Sequence, residues 1–385
     1  MTTLTFETTP RLLCETGGIR HLGRLCAELG ARRVLLVTDP GLVKAGLLAG
    51  AEASLAEAGL ACVRFSEVEA DPPEASVEAA VAMARGEAID AVVGLGGGSS
   101  MDTAKLVALL CGTDQRLADI YGIGLARGPR LPLIQVPTTA GTGSEVTPIS
   151  IVTTPTQEKK GVVSPLLYPD IALLDAGLTL GLPPAVTAAT GIDAMVHAIE
   201  AYTSRHKKNP ISDALALKGL ALLAANIDRV IADGGDIEAR SAMLLGSCLA
   251  GMAFANAPVA AVHALAYPLG GHFHVPHGLS NALVLAPVLA YNRPEAEALY
   301  AELAAVVCPQ QAGSGGSGAA CDAFIAAMTA MVRRMPFAQT LREVGIGEDA
   351  LPLLATDAMK IERLLVNNPR AMTYDAALDI YRSIL

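Results

Sequence analysis

Over the first 180 residues, short β-branched apolar runs alternate with stretches in which apolar residues recur at helical spacing. The run VLLVT at 34–38 reads as a buried strand that ends at Asp39-Pro40-Gly41. Residues 61–65, AVVGL at 91–95 and LPLIQV at 131–136 read as further strands, with helices over 49–59 and 75–85 between them. Strands alternating with helices predict a parallel, doubly wound sheet. From about Pro183 the strand signal fades and helical periodicity runs on almost unbroken. The interruption at 177–184, where LTLGLPP breaks both patterns, predicts a boundary between an α/β domain, 1–180, and an all-α domain, 181–385. The AGSGGSG stretch at 312–318 is expected to be a flexible connector between two helices.

Composition narrows the class. Of 385 residues, 52% are hydrophobic and 17% charged, with no tryptophan, and the excess of alanine, valine and leucine suits densely packed helices. The uncharged stretch 242–269 is long enough to suggest a membrane span. Asn256, Pro258, several glycines and His263 interrupt it, so a buried core helix is expected and no membrane partner. A net charge of −10 without any Lys/Arg stripe argues against a nucleic-acid partner. MTTLTFETTPR lacks the pattern of a signal peptide, and seven cysteines without a C-x-x-C pair read as reduced thiols; both features point to the cytoplasm.

Four residues carry the sharpest chemistry. Asp193 and His197 lie four apart in GIDAMVHAIEAYTS, on one face of an expected helix. His263 and His277 bracket a segment containing Pro268, Gly270, Gly271 and Pro276, which is expected to turn the chain back and bring the two histidines together. Three imidazoles and one carboxylate suit Fe(II), Zn(II) or Co(II) with room for a substrate oxygen. Two polar turns follow buried strands: LGGGSSMD at 95–102 and PTTAGTGSE at 137–145. Glycines there admit close approach of a ligand to the backbone, and the free N–H groups at a helix start attract a pyrophosphate. Turns at the ends of strands in one sheet flank one crevice, which favours a dinucleotide. Asp39, at the end of the first buried strand, is placed to bind ribose hydroxyls and would repel a 2′-phosphate, so NAD is expected over NADP.

Taken together, GGGSSMDTAK, PTTAGTGSE, GIDAMVHAIEAY, HALAYPLGGHFHVPHGLSNA, NNPR and YDAALDIY resemble the iron-containing (group III) alcohol dehydrogenase family, over nearly the whole chain. The resemblance implies the dehydroquinate synthase-like architecture: an N-terminal dinucleotide domain, a helical C-terminal domain and a cleft between them. It implies Asp193, His197, His263 and His277 as ligands of Fe(II) (or Zn(II)). It also implies NAD contacts from Asp39, Gly97, Gly98, Ser99, Asp102, Thr138, Thr139, Thr142, Thr147 and Lys160, with Asp71 standing where many relatives have Asn. A homodimer is implied as well. Many relatives carry a second His four residues after the third ligand; here that position is Tyr267, on the His263 face of its helix. Tyr267 and His277 are thus the candidate catalytic residues, and His272 and His274 are expected to support the ligands or line the cleft. Glu15-Thr16-Gly17-Gly18 replaces the Gly-x-Gly turn common in relatives.

The expected reaction is hydride transfer between a small alcohol, or its aldehyde or ketone, and NAD. The proton leaves through Tyr267, a ribose hydroxyl or water. Alanine-rich helices favour a small or medium apolar substrate. The alternatives are a maleylacetate-reductase-like or hydroxy-acid dehydrogenase of the same fold, a dehydroquinate synthase-type lyase, and a non-enzymatic dinucleotide-binding scaffold. Few cations flank the ligands (Arg205, Lys207 and Lys208 trail the first pair), which speaks against the lyase.

Overall fold

The computed structural model describes residues 4–156, 158–312 and 315–385. They form two compact units, one spanning Glu7–Gly181 and the other Leu182–Leu385 together with 4–6. Nine strands run through the first unit: β1 (Arg11–Cys14), β2 (Arg33–Val37), β3 (Ala61–Phe65), β4 (Ala91–Gly96), β5 (Gly122–Ile123), β6 (Leu133–Pro137), β7 (Ile149–Thr153), β8 (Lys159–Val163) and β9 (Ile171–Leu174). Six of them make an all-parallel sheet in the order β1-β9-β6-β4-β2-β3; the parallel sheet and its strands β2, β3, β4 and β6 are as expected, while β1 and β9 were not read from the sequence. Alternate residues of β2 feed two separate cores. Leu35 and Val37 pack with Val77, Val81, Leu106 and Leu110 on one face, and Val34 and Leu36 with Leu22, Leu25 and Leu55 on the other. Both faces are dry, which is why the run is continuously apolar. Strand order reverses between β2 and β4, so their carboxyl ends, with β6 beside them, border the crevice where such sheets bind ligands. A second, three-stranded sheet, β5-β8-β7 with β7 and β8 antiparallel, was not expected from the sequence. β5 has two residues and Lys159-Lys160 opens β8, so only β7, ISIVT, carried a strand signal, and it was overlooked.

The second unit is helical. Its centre is the helix Pro184–Thr203, buried on every side from Gly191 onward, as an all-round apolar helix must be. The helices Pro210–Ala232, Ile237–Asn256 and His277–Val307 pack around it. The uncharged stretch 242–269 is two helices rather than one: Ile237–Asn256 ends before Pro258, and Ala261–Phe273 begins after it. Ile237–Asn256 is long and apolar enough to cross a membrane by length and composition, and 61% of its most apolar window is buried. The expected 312–318 connector is shorter than predicted, because a helix starts at Gly316; residues 313–314 lie outside the described residues. Cys14, Cys26, Cys62, Cys111, Cys308 and Cys321 are free thiols.

A buried cation locks the first unit's ligand-facing turns together. Lys105, on the helix Gly98–Cys111, is fully buried, and its Nζ donates to Ser144 Oγ (2.8 Å), Thr147 Oγ1 (3.1 Å) and the Ile149 carbonyl (2.7 Å). Asp102, one turn earlier, accepts from Ser144 Oγ (2.6 Å) and the Ile151 amide (2.9 Å). Burial pulls the Lys105 amine down to about 8, against the opposing charges of Asp102 and Glu145. Burial likewise pushes the Glu145 carboxyl up to about 7. Lys105→Met strands these acceptors and two buried carboxylates, and is expected to destabilise the unit by about 3 kcal/mol at neutral pH. Because the folded Lys105 releases its proton more readily than the unfolded one, wild-type stability relative to Lys105→Met rises as pH is taken from about 8 to 10.5. Denaturant titrations of both proteins across that window check the sign.

Candidate metal centre and nucleotide turns

Helix geometry builds the metal centre. Asp193, His197 and Glu200 fall on one stripe of the Pro184–Thr203 helix; His263 is the third residue of Ala261–Phe273, and His277 opens His277–Val307. The expected turn between His263 and His277 is shorter than the Pro/Gly content suggests. Pro268, Gly270 and Gly271 lie inside the helix, and His274 (φ 55°), Val275 and Pro276 alone reverse the chain. Gly278 permits the meeting: a Cβ there would stand 2.5 Å from the Ala189 carbonyl oxygen, one turn before Asp193. One ligand atom from each of Asp193, His197, His263 and His277 lies within 4.8 Å of every other. Asp193 Oδ1 is 3.6 Å from His277 Nε2 and 3.9 Å from His263 Nε2. Metal–ligand bonds of about 2.1 Å need separations of about 3.4 Å, so a small contraction closes the set on a divalent ion. Burial pushes the Asp193 carboxyl up, but the fields of His197, His277 and His263 and the Asn281 amide outweigh it and hold it below the ordinary carboxylate range.

Two residues of this centre escaped the sequence reading. Glu200, 4% exposed, accepts the Val262 amide at 2.7 Å through one oxygen and His263 Nδ1 at 2.6 Å through the other. A carboxylate only accepts, so His263 carries its proton on Nδ1 and turns the Nε2 lone pair toward Asp193. Asn281, four residues after His277, donates to Asp193 Oδ1 (2.5 Å) and lies 3.2 and 3.3 Å from His263 Nε2 and His277 Nε2. His197 is held between rings, 4.3 Å from Phe254 and 4.7 Å from His263 between centroids. The spacing Asp193–His197–Glu200 was the available signal, since a glutamate on a buried stripe needs a donor.

Tyr267 stands beside the cluster, its ring 6.0 Å from that of His277. His272 and His274 stay outside the four-residue cluster: exposed His272 pairs with Asp357 at 2.6 Å, and His274 ends its helix in the left-handed conformation. NNPR is structural. Asn368 and Asn292 exchange amide hydrogen bonds (2.7 and 3.0 Å), Asn367 donates to the Val259 carbonyl, and Arg370 holds the Tyr291 carbonyl at 2.8 Å.

The turns expected to hold a nucleotide lie at the carboxyl ends of β2, β4 and β6. Gly97 is the N-cap of Gly98–Cys111 and offers no side-chain acceptor, so no side chain caps that helix's first turn; Ser99 lies within it. Gly96 (φ 157°) could not carry a Cβ, which would meet Ser100 Oγ at 2.5 Å. Gly98 packs closely against Thr142, and Gly97 faces Thr139. Thr138 is buried at the end of β6, its amide bonded to the Gly96 carbonyl. Asp39 caps Pro40–Lys44 through Oδ1 (Leu42 amide, 3.1 Å), leaving Oδ2 3.5 Å from Ser100 Oγ. Asp102 and Thr147 spend their side chains on Ser144, Ile151 and Lys105, holding the turns rather than facing outward. Asp71 and Lys160 sit apart from these turns, by the small sheet: Asp71 pairs with Lys159 at 2.7 Å, and exposed Lys160 lies 3.6 Å from Glu158. Gly17 (φ 74°), in the variant Glu15–Gly18 turn, donates to Asp175 at 2.8 Å.

The comparisons agree with this geometry. The family described as iron-containing alcohol dehydrogenase matches residues 9–176, and the C-terminal family of Fe-containing alcohol dehydrogenases matches 187–385. Long-chain-alcohol dehydrogenase 1 of Geobacillus thermodenitrificans is 41% identical, over 92% of this chain and 89% of its own. The NAD-dependent methanol dehydrogenase of Bacillus methanolicus is 31% identical, over 98% of both. Among solved structures, a 1,3-propanediol oxidoreductase superposes with a TM-score of 0.96 at 34% identity, covering 100% of both chains. The chain therefore belongs to the iron-containing alcohol dehydrogenase family and is an NAD-linked alcohol/aldehyde oxidoreductase.

Proposed function

We propose that Asp193, His197, His263 and His277 hold Fe(II), or Zn(II), which suits the same donors, and that the chain moves a hydride between a small alcohol, or its aldehyde or ketone, and NAD. The observation that carries this is a buried, ionised carboxylate facing three imidazoles whose ligand atoms already converge. Bound there, the ion supplies Lewis-acid polarisation of the substrate oxygen, so no strongly basic side chain is needed beside it. Glu200 fixes the tautomer of His263, and Tyr267 shapes the pocket and relays the substrate proton. Asp39, Gly97, Gly98, Ser99, Thr138, Thr139 and Thr142 contact the dinucleotide, while Asp102 and Thr147 keep their turns in place and Lys160 and Asp71 act from the small sheet. The lyase, maleylacetate-reductase-like and scaffold readings are not favoured: the relatives are named as alcohol dehydrogenases and the donor set is complete. We place the enzyme in the cytoplasm as a homodimer. Free thiols suit the first assignment, and β1, an edge strand with Leu12 40% exposed, suits the second.

Chelation is expected to abolish NAD-linked oxidation of an alcohol panel and Fe(II) to restore it under anaerobic conditions, with NADH binding, followed by its fluorescence, retained throughout. Full turnover in rigorously metal-free protein would refute the centre. Glu200→Gln has one acceptor where two are needed, and should weaken metal binding about 10–100-fold in a chelator competition. Asp39→Gly should shift the NAD/NADP ratio of kcat/KM toward NADP; an unchanged ratio removes Asp39 from the ribose site.

A further inference from the structure

We propose that Arg363 recognises an anionic group on the substrate, so that the preferred alcohols and aldehydes carry a carboxylate or sulfonate a few carbons from the reacting oxygen; this rests on the oxidoreductase reading of the same site. Arg363 lies on the short helix Glu362–Leu365, which packs against the Ala261–Phe273 helix that bears His263 and Tyr267. Its guanidinium carbon stands 5.9 Å from the centre of the Tyr267 ring, and that ring is 6.0 Å from the ring of the ligand His277. Tyr267 thus has a positive charge and the ring of a candidate metal ligand each within about 6 Å of its own ring.

What marks this cation is its place beside Tyr267 together with the lack of a charge partner. Among the described residues its side chain has no carboxylate partner. Asp357, on the neighbouring helix Leu351–Met359, is already matched twice, by His272 at 2.6 Å and by Lys360 at 2.6 Å. Glu362, one residue earlier, is exposed and makes no ion pair with it. The other arginine of this segment, Arg370, is committed to the Tyr291 carbonyl and lies 4.1 Å over the Tyr291 ring. A ring face uses the charge of Arg363 but none of its N–H donors, whose planar fork matches a carboxylate or sulfonate two bonds at a time. An aldehyde oxygen at the ligand cluster and an anion at Arg363 would be joined by a short chain passing Tyr267. The preferred substrate is then a short chain with an anionic end rather than the wholly apolar one expected from the alanine-rich helices.

The test is NADH-linked reduction of 4-oxobutanoate, methyl 4-oxobutanoate and butanal by the metal-loaded enzyme, wild type beside Arg363→Met and Arg363→Lys. Arg363 is an exposed surface residue, so both variants are expected to fold. The wild type should favour 4-oxobutanoate over the two neutral aldehydes by at least about 10-fold in kcat/KM. Arg363→Met should collapse that ratio about 10–100-fold, chiefly through KM, Arg363→Lys should retain part of it, and added salt should erode it. Reduction of neutral aldehydes without preference for the anion, or a preference that survives Arg363→Met, overturns the role of Arg363 and leaves the oxidoreductase reading intact. Reduction of none of the three by protein shown to bind metal and NADH overturns both.

Discussion

Asp193 is 1% exposed in a helix buried on every side from Gly191 onward, and an ionised carboxylate cannot stay in such a place alone. Everything around it follows from satisfying that charge. His197 comes from the next turn of the same helix, His263 and His277 from two others, and the Asn281 amide fills the remaining direction. The three-residue turn at His274–Pro276 and the missing side chain of Gly278 are the steric conditions for bringing the last of these within reach. The arrangement is costly as a core and sensible only as a ligand set.

The partners of that set show how local signals fail. Asp193 and His197 are legible because one helix carries both, and periodicity alone places them on one face. Glu200 belongs to the same stripe but was invisible as a functional residue, since its donors, Val262 and His263 Nδ1, arrive from a helix more than sixty residues away. Asn281 is hidden for the same reason. Pro268, Gly270 and Gly271 were misread as a turn because their helix is stabilised by tertiary burial, which overrides weak intrinsic preference.

In the α/β unit β2, β4 and β6 were legible as buried apolar runs and β3 as a β-rich run between helices, while β1 and β9, four residues each, and the strands of the small sheet were not read. The serines, threonines and glycines of PTTAGTGSE gave the place of the turn, but the division of labour within it depended on Lys105. A lysine in GGGSSMDTAK reads from sequence as a solvated helix residue; only the fold shows it at 0% exposure with three acceptors. That single cation holds the Ser144 and Thr147 hydroxyls inward.

Lys105 also bears on the pace of cofactor exchange. An oxidoreductase of this class must release one redox form of its nucleotide and accept the other in every cycle. A glycine-rich turn that ordered itself around each arriving phosphate would lose conformational freedom on each pass and regain it on each departure. Here an internal ammonium, rather than the ligand, supplies the charge and donors that hold the turn. Nucleotide arrival is then the docking of two shaped surfaces, with the folding of the loop completed once, when the chain itself folds.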